Sequence, residues 1–202
     1  MINRSKYIIV SSDRVKKEVQ SFNRLTKGKI VVIPYGVPFD MVKDKSQLRQ
    51  DFVGQAKVNQ KLFLFVGMRH PIKNINFIVK TFRMFKSSKV GKDYKLIIAN
   101  NVSRKKLKQL YQHATALLTA SLYESYNLSV LEALSQGCPV IGLPSAVIPE
   151  LTPYVNIANN QDQFVRLMVE ASCSRIKSVS PKIILKKFSW KNYVNQLLQI
   201  FE

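Results

Sequence analysis

Short apolar runs alternate along the chain with stretches whose apolar residues recur at helical spacing. The apolar runs are typical of buried strands, and they cover residues 7–12, 29–36, 61–68, 94–100, 114–121, 139–145 and, more weakly, 155–158. The amphipathic stretches between them predict helices at residues 13–25, 74–88, 103–114, 129–136, 161–174 and 190–201. This alternation predicts an α/β protein with a Rossmann-like parallel sheet flanked by helices.

Polar residues and glycine mark the predicted helix ends. Ser103 is placed as the N-cap of one helix, and Asn74 opens another. Gly137 ends the helix at 129–136. The basic stretch at 174–187 has a weak apolar pattern, so we interpret it as a linker to the last helix.

Length and composition favour one folded α/β domain. The chain has 202 residues, of which 46% are hydrophobic and 22% are charged. Its apolar runs are far shorter than the roughly 20 residues of a membrane-spanning helix, and the first is too short for a signal peptide, so we expect a cytoplasmic location. Cys138 and Cys173 match no metal-ligand spacing and are interpreted as free thiols.

The charge balance is strongly basic, with 32 Lys and Arg against 12 Asp and Glu and a net charge of +20. Such a field attracts phosphate in nucleic acid, in anionic lipid or in a nucleotide-linked substrate. A lysine-rich coding bias and an anionic membrane surface, with the protein peripheral on its cytoplasmic face, both stay open as explanations. Nucleic acid is disfavoured, because the basic residues are not interleaved with a stacking set of aromatics.

Two glutamates, Glu124 and Glu132, bracket a predicted strand-to-helix turn. The helix that starts near Leu128 and Ser129 presents unpaired N–H groups and the positive end of its dipole, which suits a diphosphate. Glu132 lies about one turn into this helix and has two acceptor oxygens for ribose hydroxyls. The alternative is a surface glutamate that the helix dipole favours by a few tenths of a kcal/mol.

The loop after the strand at 61–68 supplies a second set of phosphate-binding features. Gly67 permits close approach of the backbone, and Arg69 and Lys73 place two cations near the carboxyl end of the strand. The alternative is that these are two exposed cations in a chain that has 32.

Five segments in order resemble the glycosyltransferase group 1 C-terminal domain, found in family 4 retaining enzymes of the two-lobed GT-B fold. They are VIPYGV (32–37), FVGMRHPIKN (65–74), LKQLYQHATALLTASLYES (107–125), the turn with the two glutamates, and KKFSWKNYVNQLLQIFE (186–202). Together they extend over nearly the whole chain. The resemblance implies the C-terminal, donor-binding lobe of a GT-B fold.

The resemblance also implies an activity: transfer of a hexosyl group, with retention, from a UDP- or GDP-linked sugar to a carbohydrate or lipid-linked acceptor in cell-surface polysaccharide or glycolipid synthesis. Arg69, Lys73 and Glu124 are the implied catalytic residues. The two cations would stabilise the departing diphosphate without a metal, and no cofactor beyond the nucleotide sugar is expected. Two carboxylates alone would also fit a hydrolase, but the phosphate-binding loop favours transfer.

For donor binding, the resemblance implies that Glu132 holds the ribose and that Glu124 lies near the transferred sugar. The other implied donor-binding residues are Gly36, Gly67, Tyr126, Asn127, Leu128 and Ser129, of which the last four act through their amides. Among the tyrosines, the ring of Tyr126 is also a candidate for stacking.

The chain departs from the family pattern in three places. Met68 stands where the family has arginine, which here follows one position later. Ser125 and Asn127 replace glycines, and asparagine tolerates positive φ better than other non-glycine residues. Between the strand at 94–100 and the next helix, the chain lacks a unit that helps to form the base pocket, so the resemblance does not identify the base.

The predicted domains are a remnant of the lobe junction at 1–28, a nucleotide-sugar-binding domain at 29–188 and a C-terminal helix at 189–202. An acceptor lobe needs about 150 residues before VIPYGV, where this sequence has roughly 30. We therefore expect an acceptor-lobe protein or a missing N-terminal domain as partner. The alternative is a non-catalytic nucleotide-sugar-binding or regulatory module.

Overall fold

A computed structural model describes residues 5–23, 26, 28–42 and 61–201. Its strands are β1 (Ile8–Val10), β2 (Ile30–Val32), β3 (Leu62–Val66), β4 (Lys95–Ala99), β5 (Ala116–Thr119), β6 (Val140–Gly142) and β7 (Asn156–Ile157). Its helices are α1 (Asp13–Phe22), α2 (Ile75–Lys86), α3 (Arg104–His113), α4 (Leu128–Ser135), α5 (Gln161–Ser172), α6 (Pro181–Lys187) and α7 (Trp190–Leu198). Each strand and helix predicted from the apolar pattern is confirmed.

The main sheet is parallel and has five strands in the order β4-β3-β5-β6-β7. It confirms the predicted fold class. The run at 29–36, however, forms β2, which pairs in parallel with β1 in a separate two-stranded sheet. The proposed domain boundary at residue 29 therefore falls between two paired strands.

Both faces of the main sheet are covered, which explains why its strands are nearly continuous apolar runs. Successive side chains of a strand point to opposite faces. Accordingly, Leu62 and Leu64 join the apolar cluster under α3, α4 and α6. Phe63 and Phe65 join the cluster under α2 and α5. None of the helices in the described part of the chain is long and apolar enough to cross a membrane.

The interpretation of residues 174–187 as a linker is wrong for its second half, which forms α6. Pro181 lies in the first turn of this helix, and Ile184 is fully buried in the core. A helix of seven residues is too short to show a helical period in the sequence, and its lysines hide the single buried position. The helix ends marked by Ser103 and Gly137 are confirmed: the Ser103 hydroxyl accepts from the Lys106 amide, and Gly137 follows α4 at φ 77°.

Candidate functional site

The candidate site lies at the carboxyl ends of β3 and β5 in the main sheet. These strands are adjacent and parallel, so the loops that follow them, at 67–74 and 120–127, emerge side by side. The Leu122 amide donates to the Ile72 carbonyl at 2.8 Å and ties one loop to the other. The sequence placed its phosphate-binding features on these two loops, and the sheet order brings the loops together.

Lys73 and Glu124 form an ion pair across the two loops. Lys73 Nζ lies 2.6 Å from Glu124 Oε1, and the side chains are 28% and 13% exposed. Lys73 ends a short 3-10 helix (Pro71–Lys73), and the left-handed backbone of Asn74 at φ 50° then turns the chain into α2. Two of the three predicted catalytic side chains are therefore in contact, close to the surface.

Gly67 starts the first loop at φ 148°, a backbone conformation that residues with a side chain rarely adopt. Its amide donates to the Ala99 carbonyl at 3.1 Å. A Cβ atom on Gly67 would lie 3.7 Å from the Lys73 side chain, so the glycine passes close to the ion pair. Arg69 is exposed and makes no ion pair within the described part of the chain, so the structure does not bring it to Lys73 and Glu124.

Asn127 forms the start of α4 in the left-handed conformation, with φ 60° and ψ 72°. The prediction that asparagine accommodates positive φ here is confirmed. Its buried side chain donates to Thr119 Oγ1 at 3.1 Å and to the Ala146 carbonyl at 2.7 Å, and it accepts from the Ser129 hydroxyl at 2.7 Å. Because the Asn127 side chain is used in this way, it does not cap α4. The Val130 amide bonds to the Asn127 carbonyl at 3.1 Å, which leaves the amides of Leu128 and Ser129 for an anion.

Glu132 is only 6% exposed, so it is not a surface glutamate. Its Oε1 accepts from Arg104 Nη2 at 2.8 Å, and its Oε2 accepts from the Tyr111 hydroxyl at 3.0 Å. Burial, together with the Glu132 charge, raises the pKa of Tyr111 well above its ordinary value, so this hydroxyl stays a donor. The predicted ribose-binding carboxylate is therefore buried and held on both oxygens.

Arg104 also binds Asp40 through two bonds, from Nε at 2.6 Å and from Nη2 at 3.1 Å. The hydrogen bond from Arg104 holds the pKa of Asp40 below its ordinary value. The sequence analysis missed this contribution of Arg104 and Asp40. The only available signal was the position of Arg104, at the start of the helix that follows the shortened segment after β4.

Two predicted donor-binding residues lie in packed surroundings. The Tyr126 ring is 3% exposed and its hydroxyl donates to the Tyr35 carbonyl at 2.8 Å, so the ring is not presented for stacking and only its amide fits the prediction. A Cβ atom on Gly36 would lie 2.4 Å from the backbone nitrogen of Trp190, so the absence of a side chain at Gly36 permits α7 to approach the turn at 32–37. Donor binding by Gly36 stays a prediction.

The first turn of α1 is bonded to the candidate site, a contact that the sequence did not indicate. Arg14 donates to four carbonyls, those of Glu124 (3.0 Å), Pro144 (2.9 Å), Ser145 (2.6 Å) and Val147 (2.7 Å). The fully buried Ser12 donates from its hydroxyl to the Ser125 carbonyl at 2.7 Å. The two-stranded sheet and its helix therefore hold the backbone of the loop that carries Glu124.

Comparison with known proteins finds a match between part of the chain and one family. Residues 89–171 match the family model of glycosyl transferases group 1, and this segment contains both glutamates. The match covers 83 of the 202 residues, so the chain is similar to this family over less than half of its length. The group 1 segment runs from the residues before β4 into the last turn of α5, so it supplies Arg104, Glu124 and Glu132. Lys73 comes from the preceding residues.

The chain is similar to glycosyltransferases that are longer than it is. A probable sucrose-phosphate synthase from Thermosipho melanesiensis is 22% identical over 237 residues, covering 97% of this chain and 54% of the relative. The structure of the sucrose-phosphate synthase from Thermosynechococcus elongatus matches with a TM-score of 0.69 at 17% identity, covering 99% of this chain and 58% of that one. The pneumococcal O-GlcNAc transferase GtfA, in complex with UDP and GlcNAc, matches with a TM-score of 0.63 at 18% identity, covering 96% and 44%.

The chain thus spans about half the length of the curated relatives it matches. At these identities the structural likeness shows the fold alone, which is that of a Rossmann-like lobe of the GT-B fold.

Proposed function

We propose that this chain is the donor-binding half of a retaining glycosyltransferase, which transfers a hexosyl group from a nucleoside-diphosphate sugar to a carbohydrate or lipid-linked acceptor. The observation that supports this most strongly is the convergence of three features at one sheet edge: the Lys73–Glu124 pair, the uncapped start of α4, and Glu132 one turn further on. Ligands of parallel α/β sheets bind at the carboxyl ends of the strands.

The proposed chemistry is electrostatic. Under this proposal the amides of Leu128 and Ser129 and the Lys73 ammonium bind the distal phosphate, where negative charge develops as the sugar departs. Lys73 is paired with Glu124 in the folded chain, so phosphate binding would draw the ammonium from the carboxylate and leave Glu124 facing the transferred sugar. Under this proposal Arg69 acts only if its loop moves, and no metal is required.

Glu132 retains capacity for a ribose although both of its oxygens are engaged. Each carboxylate oxygen has two lone pairs, and Arg104 and Tyr111 use one on each oxygen. A ribose diol can donate to the remaining positions without displacing Arg104. Retaining the guanidinium is favourable, because a buried carboxylate left without its partner is costly.

UDP is the nucleotide that we propose first, because the GtfA neighbour was solved with UDP. We propose a role in cell-surface polysaccharide or glycolipid synthesis, with the exposed lysines favouring an anionic membrane surface.

A second lobe is the proposed partner. The parallel pair of β1 and β2 is too small to stand as a sheet by itself, and parallel sheets are normally covered on both faces. Around it, Tyr7, Ile9 and Phe22 are exposed by 40%, 38% and 91%. We propose that an acceptor lobe, in the same or another polypeptide, extends this sheet.

One observation favours a second function. Because Arg104 and Tyr111 already satisfy Glu132, the buried network is stable without substrate and also suits a nucleotide-sugar-binding or regulatory module without catalysis. Glycosyl transfer when the second lobe is supplied would exclude this alternative. Nucleotide binding with no transfer under the same conditions would favour it.

Calorimetric titration of UDP and GDP, free and sugar-linked, tests donor binding. We expect saturable 1:1 binding that Lys73→Ala and Glu132→Gln each weaken at least about tenfold, which corresponds to the loss of one charge-assisted contact. Lys80→Ala and Glu170→Gln, at sites on α2 and α5, are the matched controls and should bind as the wild type does. Retention of binding in chelator would agree with metal independence. Absence of binding by every nucleotide would refute the proposal.

A further inference from the structure

A cavity of about 400 Å³ opens beside the start of α4, and its lining includes Gly36 and Leu128 from the predicted donor-binding residues. It is lined by Tyr35, Gly36, Pro38, Phe39, Leu128 and Trp190, and its accessible surface is almost wholly apolar. Its volume is within the range of about 300–1,000 Å³ that small-molecule sites occupy.

Aromatic rings form the wall of this cavity. The Trp190 ring stacks with Phe39 at a centroid distance of 6.2 Å and with Tyr35 at 6.4 Å. Phe39 is 77% exposed and Leu128 is 45% exposed, so large apolar side chains face the opening. The hydroxyl groups of a bare sugar need hydrogen-bonding partners, and this lining does not offer them. An alkyl or aryl group needs no such partners.

The direction of α4 indicates which substrate the cavity adjoins. Leu128 is the first residue of α4, and Glu132 lies four residues later, roughly 6 Å along the helix axis. A donor with its ribose at Glu132 and its distal phosphate at the first turn would run toward Leu128, so its transferred sugar lies at the cavity end. The acceptor has to approach that sugar.

We infer that the cavity receives the apolar aglycone of the acceptor, an alkyl or aryl group attached to the sugar or hydroxyl that is glycosylated. This inference rests on the proposed function, because it uses the proposed orientation of the donor. It assigns the chain a share in acceptor recognition in addition to donor binding.

Trp190 is the single tryptophan of the chain, so its fluorescence reports directly on the cavity. Octyl β-glucoside, titrated below its critical micelle concentration, should change the emission saturably, whereas methyl β-glucoside should not. Phe39→Ser should weaken octyl glucoside binding roughly tenfold. Phe201→Ser is the matched control, because Phe201 is also 77% exposed but lies beyond α7 and outside the cavity, and it should leave binding unchanged.

UDP titrations on the same samples separate the two proposals. We expect UDP to bind wild type and Phe39→Ser alike and to bind together with octyl glucoside. Equal responses to the octyl and methyl glucosides, equal losses in both variants, or no saturable response would overturn the acceptor site. Competition between UDP and octyl glucoside would also overturn it, since the cavity would then belong to the donor. Octyl glucoside binding without any UDP binding would support the apolar site and refute the proposed donor function.

Discussion

The two glutamates before and within α4 are held by partners of different character. Glu124 meets the ammonium of Lys73, a compact charge on a flexible stem that can turn toward another anion. Glu132 meets the planar guanidinium of Arg104, which two further bonds fix on Asp40. We therefore expect ligand binding to move the Lys73 ammonium away from Glu124 and to leave Glu132 in place.

Asp40→Asn tests this fixation through its pH dependence. The Arg104 hydrogen bond lowers the pKa of Asp40 in the folded chain, so its stabilisation is complete above the unfolded-state value near 3.8 and is lost as the pH falls through the lower folded-state value. Both side chains are nearly half exposed, so the loss at pH 7 should stay below about 1 kcal/mol. Urea unfolding should show wild type and variant converging in strong acid. A difference that persists there would show that the Asp40 charge is not responsible.

Asp93→Asn provides the matched control for ligand binding. Asp93 pairs with Lys61 at 2.8 Å, on an exposed surface outside the candidate site. If Asp40 positions Arg104, then Asp40→Asn should weaken UDP binding a few-fold while Asp93→Asn does not. Equal UDP affinities in the two variants would contradict a positioning role.

The sequence predicted a site role for Lys73 but not for Arg104, and the reason for this difference is physical. Lys73 follows a strand end within a loop whose glycine is visible in the sequence, so local order locates it. Arg104 acquires its role from Asp40 and Glu132, which lie 64 and 28 residues away. Among 32 basic residues, nothing local distinguishes an arginine whose partners only the tertiary fold supplies.

At the scale of elements, α1 is the helix whose role in the structure differs most from the sequence prediction. Its amphipathic pattern predicted a helix correctly, yet the residues that matter are in its first turn, where Ser12 and Arg14 bond to the loops after β5 and β6. Strand positions were predictable because burial on both faces makes them continuous apolar runs. The pairing of the strands was not predictable, because no residue in the run at 29–36 indicates that this strand pairs with β1.

Arg14→Lys tests the attachment of α1. Lysine keeps the charge but cannot span the four carbonyls that Arg14 bonds, so we expect a loss of about 1–3 kcal/mol in unfolding free energy. Amide hydrogen exchange in the loop at 120–127 should accelerate. Lys17→Ala, an exposed change on the same helix, is the control. Unchanged exchange in the loop would show that α1 does not hold it.

At the scale of the whole molecule, several acidic side chains join one element to another, whereas the basic side chains lie at the surface. Among the described acids, Asp40, Glu124 and Glu132 bind cations between elements, and Glu150 accepts from the Asp13 amide at 2.6 Å. The sequence has 32 basic residues against 12 acidic ones, and none of the lysines and arginines in the described part of the chain is buried. Phosphate-bearing ligands are thus attracted before any specific contact forms.

Thiol labelling measures whether the protein unfolds in a single cooperative transition. Cys138 is buried, and burial raises its pKa to about 12, whereas Cys173 is exposed. We expect an aromatic disulfide reagent at pH 8 to modify one thiol per native chain and two in denaturant, with the second reaction tracking unfolding measured by fluorescence. Modification of Cys138 ahead of that transition would show local opening around α4 and β6.

The bonds of α1 also bear on the order in which the protein can assemble. Ser12 and Asp13 find their partners 113 and 137 residues further along the chain. During synthesis, α1 therefore leaves the ribosome well before Ser125 and Glu150, the residues to which its start is bonded. Contacts of such long sequence separation form late in folding, so we expect the unit of β1, α1 and β2 to pack after the main sheet and to be a binding site for a chaperone until then.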